Sequence, residues 1–398
     1  MRLSHRARAV KPSATLATAA KARALKARGV DVVTFGTGEP DFDTPVHIKE
    51  AAVQALREGA TKYPPVSGIP PLKEAIRARY RKAHGLDFED AQVLVTVGAK
   101  QALYNLCQAL LDAGDEALLV TPCWVSYPDM VTLAGATPVR VEARAEDGFE
   151  PRPEAVEAAI GPRTRLILLN SPSNPTGAVY GRDTLAGLAE VLRRHPDVVV
   201  VSDDIYEQIL YDGRRFENLL SVAPDLADRT VIVSGVSKAY AMTGWRIGWA
   251  VGPEAIIAAM QKIQGQSTSG ATHFAQAGAV AALTGDQSVV AEMVAAFDTR
   301  RRHLVEGLAS IEGVACAMPG GAFYAFPDLR ALLGRRFEGR PLEDSVALAD
   351  ALLEAEAVAC VPGGPFGAEG FLRLSFATST EEIDRGLERI RRFVEQLD

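Results

Sequence analysis

The stretch TVIVSGVSKAYAMTGWRIGWAVG, residues 230–252, carries two apolar runs around a single lysine, Lys238. Its first run, 230–235, is apolar and β-branched at nearly successive positions, the pattern of a strand buried on both faces. The second, 245–252, reads as another strand. Outward from this stretch, comparable runs recur as VLVTV at 93–97, ALLVTP at 117–122, TPVRVEA at 137–143, TRLILLN at 164–170 and VVVVS at 198–202. Between them, segments such as 100–111 and 182–194 have helical periodicity and charged faces. Near-continuous apolar strands alternating with helices predict an α/β domain on a mainly parallel seven-stranded sheet, covered on both sides. In such sheets ligands bind outside the carboxyl ends of the strands.

After about residue 281 the texture changes. A long helical stretch at 289–310 leads to short strands near 322–326, 358–361 and 371–376. A final helix over 380–397 sets Ile383, Leu387, Ile390 and Phe393 on one face. This predicts a smaller α+β domain. The expected division is 45–288 for the large domain, and 1–44 with 289–398 for the small one.

Net charge is −7, with 47% hydrophobic and 23% charged residues. That is the balance of a soluble enzyme, with no basic surplus to neutralise nucleic acid. Cys107, Cys123, Cys316 and Cys360 are far apart and form no C-x-x-C pair, so neither disulfides nor a metal site are expected and a reducing cytoplasm fits. The basic start, 1–11, leads into no apolar signal segment, and no uninterrupted apolar run is long enough to cross a bilayer. A cytoplasmic location with no membrane partner is the expectation.

Four windows carry chemistry. Lys238 directly follows a buried strand and precedes small residues, which poises it in a pocket; burial and positive neighbours would make its amine usable for covalent chemistry. A strand-end lysine pointing into water is the alternative. Arg246, eight residues on, offers a planar fork suited to a phosphate. In VVVSDDIY, 199–206, Asp203 ends an apolar strand and so lies at the ligand edge, or else caps a helix. Asp204, next along, is expected to face solvent or a cap. In NSPSNPTG, 170–177, Asn174 brings a donor and an acceptor to the same edge. At VGAKQ, 97–101, a strand turns into a helix whose first free amides, at Ala99 and Lys100, suit a phosphate.

Together these windows resemble the class I aminotransferases of pyridoxal-phosphate (PLP) fold type I. The resemblance runs from GEPDF at 38–42 to RLSFAT at 373–378. It is nearest to the bacterial aspartate and aspartate/prephenate aminotransferases, on KPSAT at 11–15, TKY at 61–63 and YAMTGWR at 240–246. The resemblance implies that Lys238 carries the cofactor and shuttles the proton, while Asp203 partners the pyridine nitrogen. Asn174 and Tyr206 would hold the ring's phenolic oxygen, and Trp124 would stack on the ring. Arg246 and the Ala99 and Lys100 amides would take the phosphate. Many relatives have serine three residues before the lysine; here Gly235 stands there, leaving Ser234 or Ser237 to supply that contact. Arg373 would clamp the substrate α-carboxylate, with Gly38, Asn174 and Trp124 lining that site. Tyr63 would reach the cofactor phosphate of a second subunit, implying a homodimer with shared sites. Thr121–Pro122 and Asn174–Pro175 are expected to be cis.

The implied reaction moves the amino group of L-aspartate to 2-oxoglutarate in two ping-pong half-reactions, with prephenate a further substrate. Lys100, and Lys11 in the N-terminal segment, are the candidates to meet a distal carboxylate; solvated surface charge is their alternative. An aromatic or broad-specificity aminotransferase, or a PLP-dependent lyase of the same fold, remain rival readings.

Overall fold

The computed structural model describes residues 2–398. Seven strands form the central sheet in the spatial order Val93–Thr96, Gly248–Val251, Thr230–Gly235, Val199–Asp203, Thr164–Asn170, Glu116–Thr121 and Thr137–Glu142. Gly248–Val251 runs antiparallel to both neighbours, and the other pairings are parallel. Each apolar run read from the sequence therefore supplies one strand. The run at 245–252 is the one most shortened. Trp245 ends a 3₁₀ turn and Arg246 takes a left-handed backbone (φ 57°), so the ladder begins only at Gly248.

Except in the edge strand Thr137–Glu142, which keeps Arg140 and Glu142 exposed, strand side chains alternate between two cores, which is why those runs are nearly continuously apolar. Leu118, Ile167, Val200 and Ile232 pack under helices Pro70–His84, Arg182–Arg194 and His273–Thr284. Leu119, Leu166, Val201 and Val231 pack on the other face, under Ala99–Leu110, Ser126–Leu133 and Glu254–Ser267.

A third core gathers Val33 and Phe35 with residues from Met293 to Leu397, including one face of Thr380–Glu395. It also takes in Tyr206, Ile209 and Tyr211, which ties it to the segment leaving the large sheet. Its strands are more fragmented than the sequence suggests. The expected strand at 358–361 splits at Cys360: Val358–Ala359 pairs in parallel with Val33–Thr34, and Val361–Pro362 pairs with Leu372–Ser375. Leu372–Ser375 pairs on its other side with Tyr324–Ala325. The Arg336–Phe337 and Arg340–Pro341 hairpin is not foreseen at all. No single helix among the described residues is long and apolar enough to cross a membrane.

Candidate active site

A cavity of about 500 Å³ opens at the carboxyl ends of three adjacent parallel strands, Thr164–Asn170, Val199–Asp203 and Thr230–Gly235. The start of helix Ala99–Leu110, the small-domain strand Leu372–Ser375 and helix Ala14–Ala27 complete its walls. Lys238, Arg246, Asp203, Asn174, Tyr206, Trp124, Ala99, Lys100, Ser237, Gly38 and Arg373 line it, whereas Asp204, Ser234, Gly235, Lys11 and Tyr63 do not.

Lys238 sits just past the end of Thr230–Gly235, partly shielded, its Nζ donating to the Gly38 carbonyl at 2.5 Å. Burial, helped by the Arg373 and Arg246 charges, lowers its pKa to about 8 against the opposing pull of Glu39. A lysine so placed holds a useful neutral fraction near pH 7. Tyr206 and Phe323 present ring faces to it at 5.8 and 5.9 Å.

Asp203 ends its strand at 3% exposure. Burial pushes its carboxyl up to about 6, although the Tyr127 hydroxyl, the Ile205 N–H and Lys238 all favour the ionised form. Tyr127 donates to Asp203 Oδ2 at 2.6 Å. The Asn170 side chain holds the neighbouring strands in register, donating to the Asp203 carbonyl at 2.8 Å and accepting from the Asn174 N–H at 2.9 Å. Tyr206 shares a hydrogen bond of 2.8 Å with Tyr324.

Around Arg246 the wall is built for an anion. Gly98 takes φ 78°, and a Cβ there would lie 2.5 Å from Arg246 Nη2, so only glycine lets the guanidinium approach the helix start. Ala99 and Lys100 open that helix, where backbone N–H groups have no intrahelical acceptor. Arg246 donates to the Thr243 carbonyl and, among the described residues, pairs with no carboxylate. Of the two serines, Ser237 lines the cavity, whereas Ser234 is buried with its hydroxyl toward the Asp204 carbonyl. A Cβ on Gly235 would meet the Ile247 carbonyl at 2.9 Å and Gly248 Cα at 3.0 Å, so serine is excluded there by the adjacent strand.

Arg373 is a guanidinium at 1% exposure. It donates to Asn174 Oδ1 and to the Gly36 carbonyl, both at 3.0 Å, and lies over the Tyr324 ring at 4.5 Å. Its Nε has no partner and no carboxylate pairs with it among the described residues. Burial lowers its pKa. A buried cation without a counter-charge is costly unless an anion arrives.

Lys100 extends over the Trp124 ring, 4.8 Å from its centre, and burial with the Arg246 charge lowers its pKa. Lys11 is exposed and stands outside the cavity, beside Asp129, whose ionised carboxyl it favours. Tyr63 is 92% exposed. Asp204 corrects the expectation of a solvent-facing acid. It is 1% exposed, accepting from the Ser202 hydroxyl at 2.6 Å and from the Asn218 amide at 2.5 Å. Its N–H bonds to the Val233 carbonyl, so the chain is still turning against the sheet and its side chain points inward.

Tyr127 and Tyr324 are site residues that sequence reasoning passed over. Tyr127 stands three residues after Trp124, its N–H bonded to the Trp124 carbonyl in the turn that opens helix Ser126–Leu133; Tyr324 has no comparable signal. Thr15, Leu16, Ala19 and Arg23, along one face of Ala14–Ala27, were not singled out either. Both expected cis bonds are cis, as is Ser171–Pro172.

Comparison with known proteins agrees with this geometry. The family model "Aminotransferase class I and II" matches residues 30–390. The aspartate/prephenate aminotransferase of Nitrosomonas europaea is 48% identical over 98% of this chain and 99% of its own. The aspartate aminotransferase of Geobacillus stearothermophilus is 48% identical over 99% of each. Among solved structures, the Rhizobium meliloti aspartate aminotransferase superposes with a TM-score of 0.97 at 44% identity, covering 100% of both chains. The Thermus thermophilus aspartate aminotransferase with maleate gives 0.92 at 47% identity, covering 99% of this chain and 100% of that one. A full-length match of both sequence and fold, on a cavity holding the residues read from sequence, leaves one conclusion: this chain is an aminotransferase of the class I and II family.

Proposed function

We propose that the enzyme binds pyridoxal phosphate on Lys238 and moves the amino group of L-aspartate to 2-oxoglutarate, with prephenate a further amino-group acceptor. The observation that carries this reading is Arg373, a buried guanidinium without a counter-charge in the same cavity as Lys238 and Lys100. The cavity fits the cofactor. Arg246, Ser237 and the Ala99 and Lys100 amides suit its phosphate, Asp203 its ring nitrogen, and Asn174 and Tyr206 its phenolic oxygen, with Trp124 against the ring. When bound, the cofactor supplies an electron-withdrawing ring that takes up the charge left as the substrate Cα loses its proton.

The chain's own residues do the rest. Arg373 receives the α-carboxylate bidentately and, with Asn174, fixes the orientation of the Cα–H bond. Lys238 Nζ, set free when the substrate amine takes its place, would accept that proton and return it at a different carbon. Asp203 holds the proton on the ring nitrogen. Running the same moves in reverse with a second oxo acid completes the ping-pong cycle.

The proposed assembly is a homodimer with shared sites. Tyr63, with Val46, Val53 and Leu56 earlier in the chain, leaves apolar side chains exposed on the cavity-bearing domain. The proposed domain division remains 45–288 against 1–44 with 289–398, supported by Val33 and Phe35 packing with the C-terminal residues.

For the distal carboxylate, Lys100 is the candidate, supported by its place on the cavity wall. A dicarboxylate, maleate, accompanies the Thermus thermophilus relative. A second reading has its own support: the Arg246 charge adds to burial in lowering the Lys100 pKa, as a lysine close to the proposed phosphate site would show. Lys100→Ala separates them. A distal-carboxylate role predicts a loss of about ten- to a hundredfold in kcat/KM for aspartate and prephenate, with alanine and phenylalanine little changed. Equal losses on acidic and neutral substrates, with weaker cofactor binding, would make Lys100 a phosphate ligand and favour a broad-specificity enzyme.

A further inference from the structure

Tyr127 enters the cavity from helix Ser126–Leu133 and is 2% exposed. Its hydroxyl takes Asp203 Oδ2, at 2.6 Å. The other carboxylate oxygen, Oδ1, has only a long contact of 3.4 Å with the Ile205 N–H, so it is left for a further donor. The same tyrosine ring meets Trp124 edge-on, with centroids 5.4 Å apart and planes at 88°. One side chain thus braces both an acid and an aromatic plane of the site.

The ionisable groups facing Asp203 come from three elements. Lys238 reaches it from the end of Thr230–Gly235, Asp204 and Tyr206 from its own segment, and Tyr127 from the helix, with Cys123 beside Tyr127. Asp204 disfavours a second charge, and burial disfavours any charge at all. Among the described residues, Tyr127 is the one side chain that donates a hydrogen bond to the Asp203 carboxylate. Burial and the Asp203 charge hold the Tyr127 pKa well above its ordinary value, so it stays a donor at working pH.

We propose that Tyr127 is a positioning residue that keeps Asp203 ionised and turns its free oxygen toward the cavity, where a protonated ring nitrogen can meet it. The inference rests on the cofactor reading above, but the Tyr127–Asp203 bond itself does not. A buried carboxylate without this donor would take up a proton, and a neutral acid cannot hold a pyridinium.

Tyr127→Phe removes the hydroxyl and keeps the ring against Trp124. In the cofactor-free full chain, with ¹³C-labelled aspartate and the Asp203 signal assigned through Asp203→Asn, the Asp203 midpoint should rise by about one pH unit or more, a tenfold shift in its ionisation. In the holoenzyme, kcat should fall about tenfold with KM little changed, and the acid limb of kcat should move to higher pH. A merely structural role would lower thermal stability without moving either midpoint. Should the phenylalanine variant fail to fold, 3-fluorotyrosine placed at 127, a stronger donor of nearly the same shape, should move the Asp203 midpoint downward. An unmoved midpoint in a folded Tyr127→Phe protein, or an upward shift with fluorotyrosine, overturns the role of Tyr127. A wild-type protein that never captures the cofactor on Lys238 would refute the cofactor reading instead, and that result is read before any variant is made.

Discussion

Lys238 shows how a single side chain acquires its chemistry from where the chain puts it. Thr230–Gly235 delivers it to the ligand edge of the sheet, and burial with Arg373 and Arg246 brings its pKa to about 8. At pH 7 roughly a tenth of such an amine is neutral, against fewer than one in a thousand for a solvated lysine. The sign follows: capture of pyridoxal phosphate by the cofactor-free protein needs the neutral amine, so its rate should rise with pH and level off just above 8. Borohydride reduction and peptide mapping should place the pyridoxyl group on Lys238. A rate still climbing through pH 10, or a label on Lys100 or Lys262, would contradict the assignment. Residues read from their own local pattern, such as Lys238, Asp203 and Asn174, came together in one cavity. Asp204 did not follow its expectation, because alternation along an ideal strand no longer applies once the backbone turns at Asp203.

At the scale of elements, strands buried on both faces were legible because nearly every position must be apolar, and the exposed edge strand Thr137–Glu142 was legible from its β-branched residues; all seven appear in the sheet. Arg182–Arg194 matches its expected bounds for a related reason: its buried face and charged face are cleanly separated. The small domain was harder to read. Its strands are two to four residues long, too short for a period to show, and Cys360 sits between two that pair in different directions. Ala14–Ala27 was also missed as a wall of the cavity, since a helix with only Ala22 buried carries little amphipathic signal. The strand at Tyr324–Ala325 was expected within 322–326, but the role of Tyr324 was not: a buried tyrosine in an apolar run reads as core, and nothing in the sequence says that its hydroxyl meets Tyr206.

The whole molecule is a large sheet domain whose ligand edge is closed by residues from both chain ends, so that groups more than three hundred positions apart meet there, as the Arg373 guanidinium and the Gly36 carbonyl do. If the proposed dimer also shares its sites, Tyr63→Phe and Lys238→Ala should complement each other. Tyr63→Phe should be severely impaired alone and Lys238→Ala inactive; mixed dimers would carry one site with both defects and one with neither, and should regain activity. No recovery despite demonstrated subunit exchange would place each site within one subunit. The account as a whole stands on amino transfer in two separable halves. Purified enzyme loaded with pyridoxal phosphate, given L-aspartate and no oxo acid, should release about one oxaloacetate per active site and stop, while its absorbance shifts from the aldehyde to the amine form of the cofactor. Adding 2-oxoglutarate should reverse the spectrum and yield glutamate. Release of ammonia or continuous turnover of aspartate without an oxo acid would contradict the account and make the enzyme a lyase.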